Sequence, residues 1–224
     1  MITLHHLENS QSIRILWLLE EIGTPYGFKM YDRDPKTMLA PADYKALSPI
    51  GTAPVITDGD LVLSESNAII DYIVDQSDRT DLRPNINDPL RADYLFWLHT
   101  AQGTLQPMQT FGFVLGLATQ KSPFFVRPII SKVEQALNSV FIKPRLKAVF
   151  TVMNAQLSKH EFLAGDRLTA ADIAMGYTLQ MAKMRGTLAD HYPNIEAYVT
   201  RMEARPAWQS ALNKDGKFSG IPSA

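Results

Sequence analysis

The chain has 224 residues, 46% of them hydrophobic, which is enough to bury a core in one large or two ordinary domains. Its 22 Lys and Arg residues nearly balance 23 Asp and Glu residues, which argues against electrostatic binding to nucleic acid or to an anionic membrane. Because it contains no cysteine, disulfides, thiolate metal sites and a protein-borne thiol nucleophile are excluded.

The beginning of the chain predicts a β-α-β unit. Ile2 to His5 is typical of a short strand, and the polar loop from Glu8 to Ser12 leads into an apolar-rich helix over Ile13 to Ile22. Tyr26 to Tyr31 alternates well enough for a second strand, which the helical crossover makes parallel to the first. A short helix is then expected from Pro41 to Leu47.

The next stretch predicts a hairpin followed by a helix. Asp58-Gly59 lies between two apolar runs, Pro54 to Ile56 and Leu61 to Leu63, and such a pair is a strong hairpin signal. Ser64 and Ser66 precede apolar residues at helical spacing, so we expect a serine to cap this helix. The resulting element order is β-α-β-α-β-β-α.

This hairpin and helix together form a candidate ligand site. The first amides of a helix lack internal partners and suit a carboxylate or phosphate, and Glu65 and Ser66 lie beside that point. Pro54 donates no hydrogen bond, so the backbone next to it is open to pairing with an extended peptide. The alternative is that the proline only ends a loop and the serines only cap a helix.

Beyond the hairpin the chain predicts a second, all-α domain. We divide the chain into residues 1–78, a linker over 79–89 that is rich in polar residues and proline, and residues 90–224. Helices are expected over Leu90 to Leu105, Pro128 to Phe141, Pro144 to His160, Ala170 to Met184 and Pro193 to Arg205, and an irregular tail over Asp215 to Ala224.

A capping box is predicted before the fourth of these helices. Thr169 can cap the helix while Asp172 reaches back to it, and Leu168 can contact Ile173. A carboxylate in a first turn is explained by capping and by the helix dipole, so we interpret Asp172 as structural.

The stretch from Ser48 to Ile73 resembles the glutathione-binding half of the thioredoxin-like domain in glutathione S-transferases, and the resemblance covers most of the chain. The Thr-x-x-Asp box resembles the one in the helical domain of that family, and the segment from Pro123 to Pro128, PFFVRP, resembles its bacterial branch. The resemblance implies an α/β thioredoxin-like N-terminal domain, an all-α C-terminal domain that contributes the acceptor site, and a homodimer.

The resemblance also implies the contacts to glutathione. Pro54 would be in the cis form, and the backbone of Ala53 would pair with the cysteinyl unit. Glu65 and Ser66 would hold the γ-glutamyl end. Thr52 stands where relatives often have lysine, so one contact to the glycyl end departs from the pattern.

The protein must stabilise the thiolate of glutathione, because a free thiol has a pKa near 8.5 and the thiolate is the nucleophile. The resemblance places the activating group in the loop before the first helix, where the helix dipole also favours an anion. Alignment on Arg14 sets Asn9 where many relatives carry serine, with Ser10 next to it. Either Ser10 donates its hydroxyl hydrogen or Asn9 donates through its amide. In a third reading, Ser10 or Ser12 only caps the helix.

The predicted function is therefore glutathione transfer, with glutathione as co-substrate and an apolar small-molecule electrophile as partner. Alternatives are glutathione-dependent disulfide or peroxide reduction, and a non-catalytic glutathione-binding protein. No metal is expected, because His5 and His6 point to opposite faces of a strand. With no long apolar stretch, we expect a cytoplasmic protein. The resemblance implies a role in detoxification.

No acceptor pocket is assigned from the sequence. Apolar side chains at helical spacing are more often core than ligand contacts, and we interpret four of them in this way: Phe96, Met108, Phe111 and Phe113.

Overall fold

A four-stranded sheet forms the centre of the N-terminal domain in the computed structural model, which describes residues 1–188, 192–216 and 218. The strands are β1 (Thr3–Leu7), β2 (Gly27–Tyr31), β3 (Val55–Asp58) and β4 (Leu61–Ser64), in the order β2-β1-β3-β4. β1 runs parallel to β2 and antiparallel to β3, which in turn is antiparallel to β4.

Three helices accompany the sheet: α1 (Ile13–Ile22), α2 (Ala42–Lys45) and α3 (Ser66–Asp75). The helix α1 is apolar on nearly every side because it packs against the sheet and α3 as well as α8 and α10 of the second domain, defined below. Gly23 ends it in the left-handed region, at φ 77°, and donates its amide to the Leu19 carbonyl at 3.0 Å.

The predicted hairpin is confirmed, but its turn lies one residue further along the chain. Asp58 still pairs with Leu61, which leaves Gly59 and Asp60 as the two-residue loop, with Gly59 at φ 57°. The expected serine cap on α3 is wrong. The cap position is Glu65, and among the described residues no side chain caps this helix.

The second domain is helical, as predicted, and its elements are α4 (Arg91–Thr100), α5 (Gln106–Lys121), α6 (Arg127–Leu137), α7 (Lys143–Leu157), α8 (Ala170–Met184), α9 (Pro193–Glu203) and α10 (Pro206–Asp215). The bounds predicted for α1 and α8 are confirmed. Sequence analysis missed α5 and α10. The predicted irregular tail lies mostly outside the described residues, and its first residue, Asp215, ends α10.

Two π-helical turns keep the chain helical ahead of two prolines. Ala101–Leu105 joins α4 to α5 just before Pro107, and Asn138–Ile142 joins α6 to α7 just before Pro144. A proline ring in a regular helix clashes with the carbonyl four residues earlier, and a wider turn at that point relieves the clash. The chain therefore stays helical where a break is expected.

The helix α8 forms the centre of the second domain and touches the first. Thirteen of its residues, Ala170 to Ala182, are buried. A Cβ added to Gly176 would lie 2.3 Å from the Trp17 ring of α1, so only glycine allows α1 and α8 to approach this closely. Among the described residues, no helix is both long and apolar enough to cross a membrane.

Candidate active site

The sheet topology brings the predicted site residues to one edge. Because β1 is antiparallel to β3, the end of β1 lies beside the start of β3, with His5 opposite Val55. Val55 in turn pairs with Ser64 at the end of β4. The loop after β1, the residues before β3 and the first turn of α3 therefore meet at the same edge.

A cleft of about 390 Å³ opens at this edge, between the two domains. Four predicted residues line it: Asn9, Ser10, Thr52 and Ala53. The Ala53-Pro54 peptide bond is cis, and Pro54 is buried at the start of β3. The helical domain closes the far side with Gln106, Thr110, Phe113, Tyr177 and Arg185.

Glu65 and Ser66 lie at the first turn of α3, next to this cleft but not in its lining. Glu65 has φ 79° and ψ 119°, a combination unusual for a residue other than glycine. Ser66 is only 2% exposed. The backbone conformation of Glu65 lets β4 end and α3 begin within a single residue, which aims the first amides of α3 at the sheet edge.

The loop between β1 and α1 presents Asn9 and turns Ser10 inward. Asn9 has φ 47° and is half-buried, whereas Ser10 is 6% exposed. The Ser10 hydroxyl donates to the Leu7 carbonyl at 2.7 Å and lies 2.7 Å from the Ser12 hydroxyl. The Ser10 hydroxyl hydrogen is therefore already used inside the protein.

Arg33 holds the same loop from its outer side. Its guanidinium donates to the backbone carbonyls of Glu8 at 3.0 Å, Asn9 at 3.2 Å and Met38 at 2.9 Å. Three bonds from one planar group to three carbonyls restrain the unusual backbone of Asn9.

Cationic side chains dominate the cleft. Arg33, Lys45 and Arg185 line it, and Lys45 is exposed to solvent. Behind Tyr177, the fully buried Arg14 stacks on the phenol ring at 4.9 Å. Burial lowers the pKa of the Arg14 guanidinium to about 10. Burial also lowers the pKa of Arg185. The cleft is thus suited to an anionic ligand.

Comparison with known proteins identifies the family. The family model for the glutathione S-transferase N-terminal domain matches residues 10–76, and the model for the C-terminal domain matches residues 119–206. Glutathione S-transferase 3 of Schizosaccharomyces pombe is 32% identical over 96% of this chain and 88% of its own length. The chain belongs to the glutathione S-transferase family.

Solved glutathione S-transferases have the same fold. The enzyme from Actinobacillus pleuropneumoniae is 30% identical with a TM-score of 0.76, over 97% of this chain and 94% of its own. The enzyme from Xylella fastidiosa is 26% identical with a TM-score of 0.77, over 96% and 99%. The two-domain fold and the assignment as a glutathione transferase are therefore confirmed, and glutathione is the co-substrate of this family.

A second cavity, of about 870 Å³, lies within the helical domain of this transferase, between α5, the α6 and α7 pair and the end of α8. It meets the interdomain cleft at Phe113 and Arg185, which line both. Met108 also lines it, so the interpretation of Met108 and Phe113 as plain core is wrong. Phe96 and Phe111 are 52% and 38% exposed, so neither is core.

Sequence reasoning missed the cleft residues that come from distant parts of the chain. Lys45 ends the short helix α2, and Tyr177 and Arg185 lie more than a hundred residues after the loop they face. For Lys45 one signal was present, because the transferase pattern expects a cation near the glycyl end and Thr52 does not supply it. For Tyr177 and Arg185 the sequence carries no comparable signal.

Proposed function

We propose that this transferase ionises glutathione in the interdomain cleft and transfers it to an apolar electrophile bound in the adjoining cavity of the helical domain. The observation that carries the proposal is that the two spaces adjoin at Phe113 and Arg185, whose side chains stack at 4.4 Å and line both. Nucleophile and electrophile can then meet at that junction while each keeps its own binding surface.

Glutathione is proposed to lie along the edge of the sheet. The backbone of Ala53 pairs with the cysteinyl unit beside the cis Pro54, and Glu65 and Ser66 hold the γ-glutamyl end at the first turn of α3. Lys45 is the cation available for the glycyl carboxylate, since Thr52 provides only a hydroxyl. Because Lys45 is exposed, this ion pair contributes about 0.2–1 kcal/mol.

Asn9 is the residue we propose for thiol activation, in preference to Ser10. Both lie near the start of α1, where the dipole favours an anion. The Ser10 hydroxyl hydrogen is directed to the Leu7 carbonyl, so donating it to a ligand sulfur would break a bond of 2.7 Å. Asn9 lines the cleft, and its amide has two donor hydrogens, so one can serve the sulfur.

The cavity also indicates what kind of electrophile it accepts. Its walls are mainly apolar, and two polar atoms stand out within them. The side-chain amide oxygen of Gln109 and Nε of Arg185 are both buried, and neither has a hydrogen-bond partner among the described residues. Because both atoms are shielded, the surface that the cavity offers to a ligand is mainly apolar, which favours an apolar electrophile.

A substitution that narrows the cavity tests whether the electrophile binds there. Gly112 lies on its wall, and a Cβ there would make only ordinary contacts, 3.7 Å from Ile142. Gly112→Leu should lower kcat/KM for an activated aryl chloride about tenfold or more without changing glutathione affinity. Gly103→Leu is the matched control, because Gly103 is exposed with no neighbour within 4 Å. Equal kinetics for the two variants would contradict the assignment.

Two alternatives are glutathione-dependent reduction of a disulfide or peroxide, and glutathione binding without catalysis. Rates measured with a small disulfide and with the aryl chloride separate both from this proposal. Reduction of a small disulfide faster than aryl conjugation would favour the reductase, and binding of glutathione without either reaction would favour a binding protein. A cytoplasmic homodimer acting in detoxification stays a prediction from the resemblance.

A further inference from the structure

A chain of buried polar side chains connects the last helix of the protein to the loop that carries Asn9. Asp215, at the end of α10, lies 3.5 Å from Nε2 of His6 on β1, and both side chains are fully buried. His6 Nδ1 lies 2.9 Å from the Ser12 hydroxyl, which lies 2.7 Å from the Ser10 hydroxyl. The chain joins the two domains inside the protein.

The number of hydrogens fixes the direction of these bonds. The Leu7 carbonyl can only accept, so Ser10 donates to it, at 2.7 Å. Ser12 then donates to Ser10, because otherwise the 2.7 Å contact between the two hydroxyls would contain no hydrogen, and the other acceptors within reach of Ser12 are more distant: His6 Nδ1 at 2.9 Å and the Leu7 carbonyl at 3.2 Å. With its own hydrogen used in this way, Ser12 can only accept from His6, which must carry a hydrogen on Nδ1.

The backbone completes the pattern. The Leu7 amide donates to the Ser12 hydroxyl, and the Ser12 amide donates to the Ser10 hydroxyl, each at 3.2 Å. Each hydroxyl therefore donates once and accepts twice, which is its full capacity. Neither serine has a hydrogen left for a ligand.

The same count shows what the other ring nitrogen of His6 presents to Asp215. With Nδ1 protonated, a neutral ring would turn the lone pair of Nε2 towards the Asp215 carboxylate. Within the described part of the chain, neither carboxylate oxygen has a hydrogen-bond partner, so only His6 offsets the cost of burying this charge. Nε2 of His6 likewise lacks a hydrogen-bond partner there, and a hydrogen on it would point at Asp215 Oδ1, 3.5 Å away, and pair the two buried groups. The His6 ring also packs against the Phe28 ring, with 5.6 Å between the two ring centroids.

We propose that His6 and Asp215 are positioning residues for thiol activation. Their buried ion pair keeps Nδ1 protonated, which directs the Ser10 hydroxyl to the backbone carbonyl and leaves Asn9 to face the cleft. The pair holds the loop from inside while Arg33 holds it from outside. This inference rests on the proposed role of Asn9, and it makes α10 of the helical domain a determinant of reactivity in the other domain.

The first test measures the ion pair directly and needs no activity. The imidazole ¹⁵N shifts of His6 in the parent protein at neutral pH should show both nitrogens protonated. In Asp215→Asn they should show a neutral ring, because the counter-charge is gone. A neutral His6 in the parent protein would overturn the proposal, whether or not glutathione binds.

The second test measures the consequence for the ligand. Asp215→Asn should raise the pKa of bound glutathione by about one unit, which lowers the rate at neutral pH by up to about tenfold. Lys214→Gln is the matched control, because Lys214 joins the same α10 to Glu20 of α1 at the surface, at 2.6 Å, without contacting the serines. Its bound thiol should titrate as in the parent protein.

Two results of this second test would overturn the proposal: an unchanged thiol pKa in folded Asp215→Asn, or an equal rise in Lys214→Gln, which would assign the effect to the docking of α10. A parent protein that does not ionise glutathione contradicts the proposed function instead, and the state of His6 then still decides the ion pair.

Discussion

Ser66 is the hydroxyl that we propose holds the γ-glutamyl end of glutathione. It lies in the first turn of α3, is 2% exposed, and its neighbours are backbone amides that favour a carboxylate. Truncating it leaves the charged end of glutathione without one of its partners in a site shielded from water.

We expect Ser66→Ala to weaken glutathione binding by about 1.5–3 kcal/mol, the range for hydrogen bonds to charged groups. Isothermal calorimetry measures the change. Ser77→Ala is the matched control, because Ser77 follows the other end of α3 and donates only to the Val74 carbonyl, at 2.9 Å. Unchanged affinity in a folded Ser66→Ala protein would contradict the assignment.

For individual residues, the sequence predicts which ones line the cleft but not which of them donates a hydrogen bond to the glutathione sulfur. Asn9, Ser10 and Ala53 are predictable because they flank strand ends that share an edge. The choice between Asn9 and Ser10 is not, because it depends on where one hydroxyl hydrogen points. That direction is determined by the Leu7 carbonyl and by Ser12.

The capping box of α8 shows how one residue stabilises several elements. The Asp172 carboxylate accepts from the Thr169 amide at 2.8 Å, from the Leu163 amide at 2.9 Å and from the Tyr198 hydroxyl at 2.9 Å. It thus connects the start of α8 to the preceding loop and to α9. Burial raises the pKa of Asp172 in spite of these donors.

We expect Thr169→Ala to lower the free energy of unfolding by about 0.5–2 kcal/mol, the value of a helix cap. Asp172→Ala should cost more, because each donor left unpaired adds about 1–3 kcal/mol. Denaturant titration gives both values, and glutathione affinity should not change. A variant that loses turnover at an unchanged melting temperature would show that the box has a catalytic role.

Helix starts were predictable from apolar spacing, as in α1 and α8, and from proline, since α9 begins at Pro193 as predicted. What proline did not predict is that the chain stays helical before it. Pro107 and Pro144 follow π-helical turns and so lie inside long helical segments. Whether a helix breaks or widens before proline depends on the packing of the turn against the rest of the domain, which no local pattern records.

The whole molecule combines residues that lie far apart in the sequence. Arg185 faces the loop at Asn9. Asp215 contacts His6, which lies 209 positions earlier in the sequence (215 minus 6). These contacts arise because α1 packs on the sheet and on α8 and α10 together. Composition and periodicity predict the two domains but not which of their side chains meet.

The central claim is that the cleft ionises glutathione through Asn9, and thiolate absorbance against pH for bound glutathione tests it most directly. In the parent protein the bound thiol should ionise below the free value of about 8.5. Asn9→Ala should return the pKa towards that value, whereas Ser10→Ala, which interrupts the chain from His6, should raise it by no more than about one unit, as Asp215→Asn does. The account is contradicted if the thiol bound to the parent protein titrates like free glutathione, or if Ser10→Ala alone abolishes the shift.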